Sequence, residues 1–225
     1  MVPQARQGAG QRDCAPVTVD DADMLRARVY TLLAQLLARP PSQALLDTVA
    51  GLSGDGSPFG RAIGGLAARA AATDERRAGR EYFDLLVGVT RGELVPYASY
   101  YRTGFLNDRP LARLREDMQA LGIARAANVV EPEDHIASIA EMMAALIAGT
   151  FGPPDLDRQK RFFDRHLAPW AGRFFADLEA AAAADLYRPV GTIGRLFLDI
   201  ETDAFAMFAP ASGTVDEREG TSHAP

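Results

Sequence analysis

Among its 225 residues the sequence has one cysteine, one tryptophan, one lysine and three histidines, and each scarcity excludes something. A lone Cys14 cannot form an intrachain disulfide, and in a stretch rich in Gly and Pro it reads as incidental rather than catalytic. No stretch approaches the ~18 apolar residues of a membrane span, and residues 1–20 lack the apolar segment of a secretory signal. The expectation is a cytoplasmic protein without stable membrane insertion. The only lysine, Lys160, lies in "DRQKRFF", so no Gly-rich loop ending in Lys-Ser/Thr exists to cradle phosphate. There is no His-Glu-x-x-His and no cysteine cluster, and the residues three before His135 and His166 are Pro132 and Phe163. The paired Glu-x-x-His motifs of di-iron bundles are therefore absent, and no metal or other cofactor is expected. No Gly-x-Ser-x-Gly elbow surrounds Ser99, although spacing alone leaves open a spatial triad of Ser99, His135 and an acid. Excess positive charge is missing too. A net charge of −6 and a pI near 5.1 argue against nucleic acid and for basic partners.

What is present is a helical pattern. Hydrophobic residues make up 48% and charged residues 24%, enough for one substantial core in a soluble chain. Asp20 or Asp21 can cap a helix to about Arg39 with Leu25, Val29, Leu32 and Leu36 on one stripe, ended by Pro40-Pro41. Ser42 and Ser57-Pro58 signal two further starts, and Thr73 a third, carrying Tyr82, Phe83, Leu85 and Leu86 to a stop at Gly88. Helix resumes near Asp108-Arg109-Pro110 and again at Pro132, running to about Ala148. Later helices are expected over 155–167, 169–185 and about 189–208. The last is apolar at Ile193, Leu196, Phe197, Ile200, Ala204 and Phe208, with Gly191 and Gly194 weakening its beginning. Strand-like alternation and fixed-length repeats are absent. The predicted fold is all-α, one domain of about nine helices over 19–209, with disordered tails at 1–18 and 210–225.

Two segments stand out from this pattern. Residues 88–107, "GVTRGELVPYASYYRTGFLN", are broken by Gly and Pro and hold three tyrosines in five residues. A long aromatic loop either plugs the core beneath it or offers a binding surface. The second segment is "EPEDHIASIAEMM", from Glu131. Pro132 suits a first helical position, and acids favour the positive end of the helix dipole. That ordinary reading leaves His135 unexplained, because a helix start disfavours its protonated form. An acidic helix start beside tyrosines would suit a peptide with arginines and an apolar stretch. The run "RQKRFFDRH" reads more simply, with Phe162 and Phe163 in the core and solvated arginines.

The order of "EYFDLLVG" (81–88), "RGELVPYASYY" (91–101), "RPLARLREDMQALGI" (109–123) and "EPEDHIASIAEMMAALI" (131–147) resembles the TorD/DmsD/NarJ family of molybdoenzyme maturation chaperones. The resemblance spans about residues 20–208 and sits on the TorD/DmsD side. Its most specific part is Glu-Pro-x-Asp-His at Glu131, Pro132, Asp134 and His135. It implies an all-helical cytoplasmic chaperone without catalytic turnover, as a monomer or swapped dimer. The implied partners are a twin-arginine signal peptide and the apo-subunit of a molybdopterin-dependent oxidoreductase, held until cofactor insertion and before export. The signal-peptide-binding residues carried over are Pro96, Tyr97, Ser99, Tyr100, Tyr101, Glu131, Pro132, Asp134 and His135. The "RGELVPYASYYRTGFL…RPLARLR" form resembles that of members associated with formate dehydrogenases, with dimethyl sulfoxide or trimethylamine N-oxide reductases as alternative clients. Some members place a tryptophan in this loop, where this chain has none and carries Trp170 instead. Two competing functions are a small acid/base enzyme using His135 with nearby carboxylates, and an adaptor for a folded partner.

Overall fold

A computed structural model describes residues 21–89, 91–125 and 131–208; the expected tails and Cys14 lie outside them. Among the described residues there are ten α-helices, one π-helical segment and a single isolated bridge, so the all-α architecture holds with one helix more than expected. The helices are α1 (Asp21–Ala38), α2 (Gln43–Ala50), α3 (Pro58–Ala71), α4 (Glu75–Tyr82), α5 (Ala98–Thr103), α6 (Arg109–Ala120), α7 (Ile136–Ile147), α8 (Leu156–His166), α9 (Ala171–Ala180) and α10 (Tyr187–Met207).

Local signals set most of the starts. Ser42, Ser57 and Asp108 are N-caps whose side chains accept backbone N–H groups, and Pro58 and Pro110 sit in the first turns they precede. The start of α4 is one residue later than expected, because Asp74 rather than Thr73 accepts the Arg77 N–H. Helix α7 is apolar nearly all round, from Ile136 and Ile139 through Met143 to Ile147, and this makes it the central helix. It packs along α1, while α9 packs along α10.

The buried faces of the two longest helices differ from the expected stripes. In α1, Leu25 is exposed, and Ala27, Tyr30, Ala34 and Leu37 face the core with Leu33 and Leu36. In α10, Ile200 and Ala204 are exposed, while Val190, Phe197, Leu198 and Phe205 are buried. Alanine and glycine carry little hydrophobic weight, so a face built from them is hard to see in a stripe of leucines. The glycines of α10 do not weaken it; they let α9 approach. A Cβ at Gly191 would come within 2.4 Å of the Glu179 backbone N, and one at Gly194 within 2.2 Å of the Phe175 ring. We expect Gly191→Ala to cost about 1–3 kcal/mol by prising α10 from α9, despite alanine's better helix propensity. An unchanged denaturation midpoint would refute this close packing.

Helix α4 runs into a π-helical segment, Phe83–Val87, closed by a Gly88 N–H donating to the Phe83 carbonyl at 2.7 Å. Gly88 has φ 65°, and a Cβ there would lie 2.1 Å from the Arg91 carbonyl oxygen, so glycine is needed to turn the chain back. The returning strand of chain then lies on Asp84 and Leu85, whose carbonyls accept Glu93 and Leu94 N–H at 3.0 and 2.8 Å. This carries Pro96 and Tyr97 to the edge of α7.

Candidate acid-rimmed pocket and apolar groove

The two outstanding segments meet. Tyr97 and His135 form an isolated antiparallel bridge, in which Ala98 N–H donates to Asp134 O and Ile136 N–H to Pro96 O, both at 2.9 Å. The pairing holds the chain extended up to His135, so α7 begins at Ile136. Pro132 is therefore not its first residue, and the acids at 131, 133 and 134 precede its first turn. Pro132 instead closes a turn, its carbonyl accepting the His135 N–H at 3.2 Å.

His135 is the N-cap of α7. Its Nδ1 accepts the Ala137 N–H at 3.1 Å, which requires the proton on Nε2. The ring is 6% exposed and stands edge-on to Tyr97 with centroids 5.1 Å apart. Burial lowers its pKa from 6.5 to about 4, against a small opposing pull from Glu131. A neutral, buried, capping imidazole is poorly placed for acid/base chemistry. Among the described residues no hydrogen bond joins it to Ser99, whose hydroxyl accepts the Asp108 N–H. The triad left open by the sequence is not assembled.

Asp134 lies beneath the tyrosines rather than at the surface. It is 1% exposed, and its Oδ2 accepts the Ser99 N–H at 2.8 Å; its Oδ1 has no hydrogen-bond partner among the described residues. That acceptor satisfies a donor at the first turn of α5, the short helix that replaces part of the expected loop and carries Tyr100 and Tyr101. Tyr101 is wedged between Trp170 and Phe174, at 5.5 and 5.9 Å, and its hydroxyl donates to Asp177 at 3.0 Å. The sole tryptophan thus reaches the tyrosine segment through space, fully buried, with its N–H on the His166 carbonyl. Phe162 and Phe163 are core residues, as expected.

Of the three acids, Glu133 is neutralised internally. Arg115 donates to Oε2 from Nε and Nη2 at 3.0 and 2.8 Å, and Arg125 lies 3.6 Å from Oε1. Burial would raise its pKa, but the two guanidinium groups and a backbone hydrogen bond hold it below the usual value. Glu131 remains exposed and accepts the Tyr97 hydroxyl. Burial first, and this bond second, push the Tyr97 phenol upward.

Two concavities flank the Tyr97–Glu131 contact. On one side a pocket of about 250 Å³ is lined by Met118, Ile123, Met142 and Phe151, together with Glu131, Glu141 and the paired Glu133 and Arg125, so its lining is acidic on balance. On the other, an open groove of about 430 Å³ runs along Val87, Val95, Pro96, Tyr97 and Tyr100 to Phe105 and Leu106. Phe105 is 73% exposed, and Val87 and Leu106, which line the same groove, are exposed too. The sequence placed Glu141 about two turns into the helix, where it suggested only a metal ligand, and no local motif marks Met118 or Met142; the three converge from α6 and α7. Among the described residues, no group of three or more potential ligands could hold a metal, and no helix is long and apolar enough to cross a membrane.

A family model described as "Nitrate reductase delta subunit" matches residues 53–176, a span that contains the groove, the bridge and the pocket. Among curated proteins, "Chaperone protein TorD" of Vibrio cholerae is 29% identical over 126 residues, covering 52% of this chain and 57% of that protein. The protein of the same description from Photobacterium profundum is 31% identical over 153 residues, covering 60% and 69%. The chain thus spans a little over half the length of the Vibrio relative it matches. A solved structure from Archaeoglobus fulgidus, described as a redox enzyme maturation protein, superposes with a TM-score of 0.55 at 19% identity, over 84% of this chain and 99% of that one, a likeness of fold.

Proposed function

Because the chain belongs to the nitrate reductase delta subunit family, the one its motifs resembled, we propose that it is a maturation chaperone for a molybdopterin-dependent oxidoreductase. It acts in the cytoplasm, without catalytic turnover, by holding the apo-subunit through its twin-arginine signal peptide. The observation that carries this reading is the junction at Tyr97, where an acid-rimmed apolar pocket adjoins an exposed apolar groove. A twin-arginine peptide has the complementary order, with guanidinium groups followed by an apolar run.

In this assignment Glu131 and Glu141 meet the arginines, since Glu133 is already paired by Arg115 and Arg125. Pro96, Tyr97 and Tyr100 line the path of the apolar segment. Ser99, Tyr101, Pro132, Asp134 and His135 act from beneath, by fixing α5 against the start of α7. The buried, committed imidazole disfavours the acid/base alternative. A formate dehydrogenase is the first client to test, with dimethyl sulfoxide and trimethylamine N-oxide reductases next.

Calorimetric titration with a client signal peptide and its Lys-Lys variant tests the assignment. The arginine peptide is expected to bind about tenfold more tightly, because only guanidinium offers a planar fork to a carboxylate. The double variant Glu131→Gln, Glu141→Gln is expected to remove that preference. Equal binding of the two peptides by the unaltered protein would reject the carboxylate assignment and leave the apolar groove. Failure of both peptides from all three candidate clients to bind would reject the signal-peptide reading.

A further inference from the structure

Beyond Tyr100 the apolar groove opens into a third concavity of different chemistry, about 450 Å³, sharing Arg91, Leu94, Val95, Tyr100 and Gly104 with it. Three arginines line this cavity, Arg91, Arg102 and Arg173, against two carboxylates, Glu93 and Asp177. Both carboxylates are occupied. Glu93 accepts the Ala182 and Ala183 N–H groups at 2.7 and 3.1 Å, and Asp177 accepts the Tyr101 hydroxyl. Among the described residues no carboxylate lies within ion-pair distance of any of the three arginines.

Two of these guanidinium groups are nevertheless held in place. Arg91 lies over the Tyr100 ring at 5.9 Å and also donates to its hydroxyl at 3.1 Å; Arg173 lies over the Tyr101 ring at 6.0 Å. The rings themselves stand edge to face at 6.2 Å. An aromatic face orients a guanidinium without neutralising it, and leaves its N–H edge for an anion. The cavity is therefore a positive site prepared at the far end of an apolar path whose near end is acidic.

We propose that this arginine–tyrosine cavity binds a carboxylate side chain of the client peptide, placed beyond the apolar run. This rests on the peptide reading above and extends it. The bound segment would carry basic, apolar and acidic residues in that order, and the chaperone would prefer clients with an acid after the apolar stretch. The continuity of the cavity with the apolar groove favours a peptide carboxylate over a free anion.

The test uses the full chain and two synthetic peptides, each with Arg-Arg and an apolar run, then Asp in one and Asn in the other, the position being moved stepwise along the last residues. At low salt the Asp peptide is expected to bind about five- to tenfold more tightly at its best position, as charge-assisted pairs do. The preference should shrink as salt screens it. In Arg173→Gln, checked for native helicity and melting, the Asp/Asn ratio is expected to fall below about twofold. The ratio is the readout, so a general loss of affinity does not imitate the effect. Equal affinities at every position, or a ratio unmoved by Arg173→Gln, would overturn the carboxylate site and leave the peptide groove standing. Absence of binding by either peptide would overturn both. Saturable binding of inorganic phosphate alone, abolished by Arg173→Gln and with no Asp preference, would overturn the proposal in favour of a small anion.

Discussion

Glu201→Ala is expected to destabilise the protein by about 3–5 kcal/mol, the cost of removing one partner from a buried ion pair. Glu201 is 1% exposed on α10 and accepts Arg26 of α1 bidentately, Nε at 2.7 Å and Nη2 at 2.9 Å, and the Tyr30 hydroxyl at 3.0 Å. Arg26 also reaches Asp23 at 2.6 Å and Gln159 of α8 at 3.1 Å, so its guanidinium, held by Glu201, ties together three helices. Alanine would leave the Tyr30 hydroxyl buried without this acceptor and the guanidinium with Asp23 as its remaining carboxylate. Urea denaturation should report the loss as a shift in midpoint at constant slope. The double variant Arg26→Met, Glu201→Met is expected to recover much of it, since an apolar pair avoids desolvating charge. A Glu201→Ala loss below about 1 kcal/mol would mean that the network is solvated rather than buried.

The second large effect is one of pH. Folded His135 resists protonation down to about pH 4, whereas the unfolded imidazole takes its proton near 6.5. Between those values the unfolded chain binds more protons than the folded one, so stability falls as pH falls and levels off below about 4. The interval corresponds to about 3 kcal/mol. Two local features oppose the cation besides burial: Nδ1 would lose the Ala137 N–H, and the start of α7 repels positive charge. Asparagine is an effective N-cap that does not titrate. The unfolding free energy of the original protein should therefore fall by about 3 kcal/mol relative to that of His135→Asn from pH 7 to pH 4. Burial also lowers the His166 pKa against the pull of Asp117, and Glu133 and Glu179 are lowered too, but these groups are common to both proteins and cancel in the difference. Parallel stability curves would show that His135 is hydrated in solution.

Legibility in the sequence followed the range of the interactions. The all-α class came from apolar spacing, and the starts of α2, α3 and α6 from Ser42, Ser57-Pro58 and Asp108-Arg109-Pro110, because a cap acts on amides one to three residues away. The Glu-Pro-x-Asp-His motif and the tyrosine segment were legible as residues of interest, and through them the family. Tertiary structure decided the rest. α7 starts at Ile136 because Pro96 and Ala98, from a distant segment, pair with the chain there and hold it extended. α5 is six residues long, too short to persist alone, and exists as a helix with Asp134, 35 residues away, accepting its Ser99 N–H. The same pairing made Asp134 a buried support and His135 a cap, so the sequence could name both without separating support from contact surface. The pocket under Glu141 and the cavity under Arg173 are spaces between helices, and the volume left between packed surfaces has no periodicity along the chain. Spacing and caps are local and determine which helices form; packing across tens of residues determined where carboxylates, tyrosines and arginines face one another.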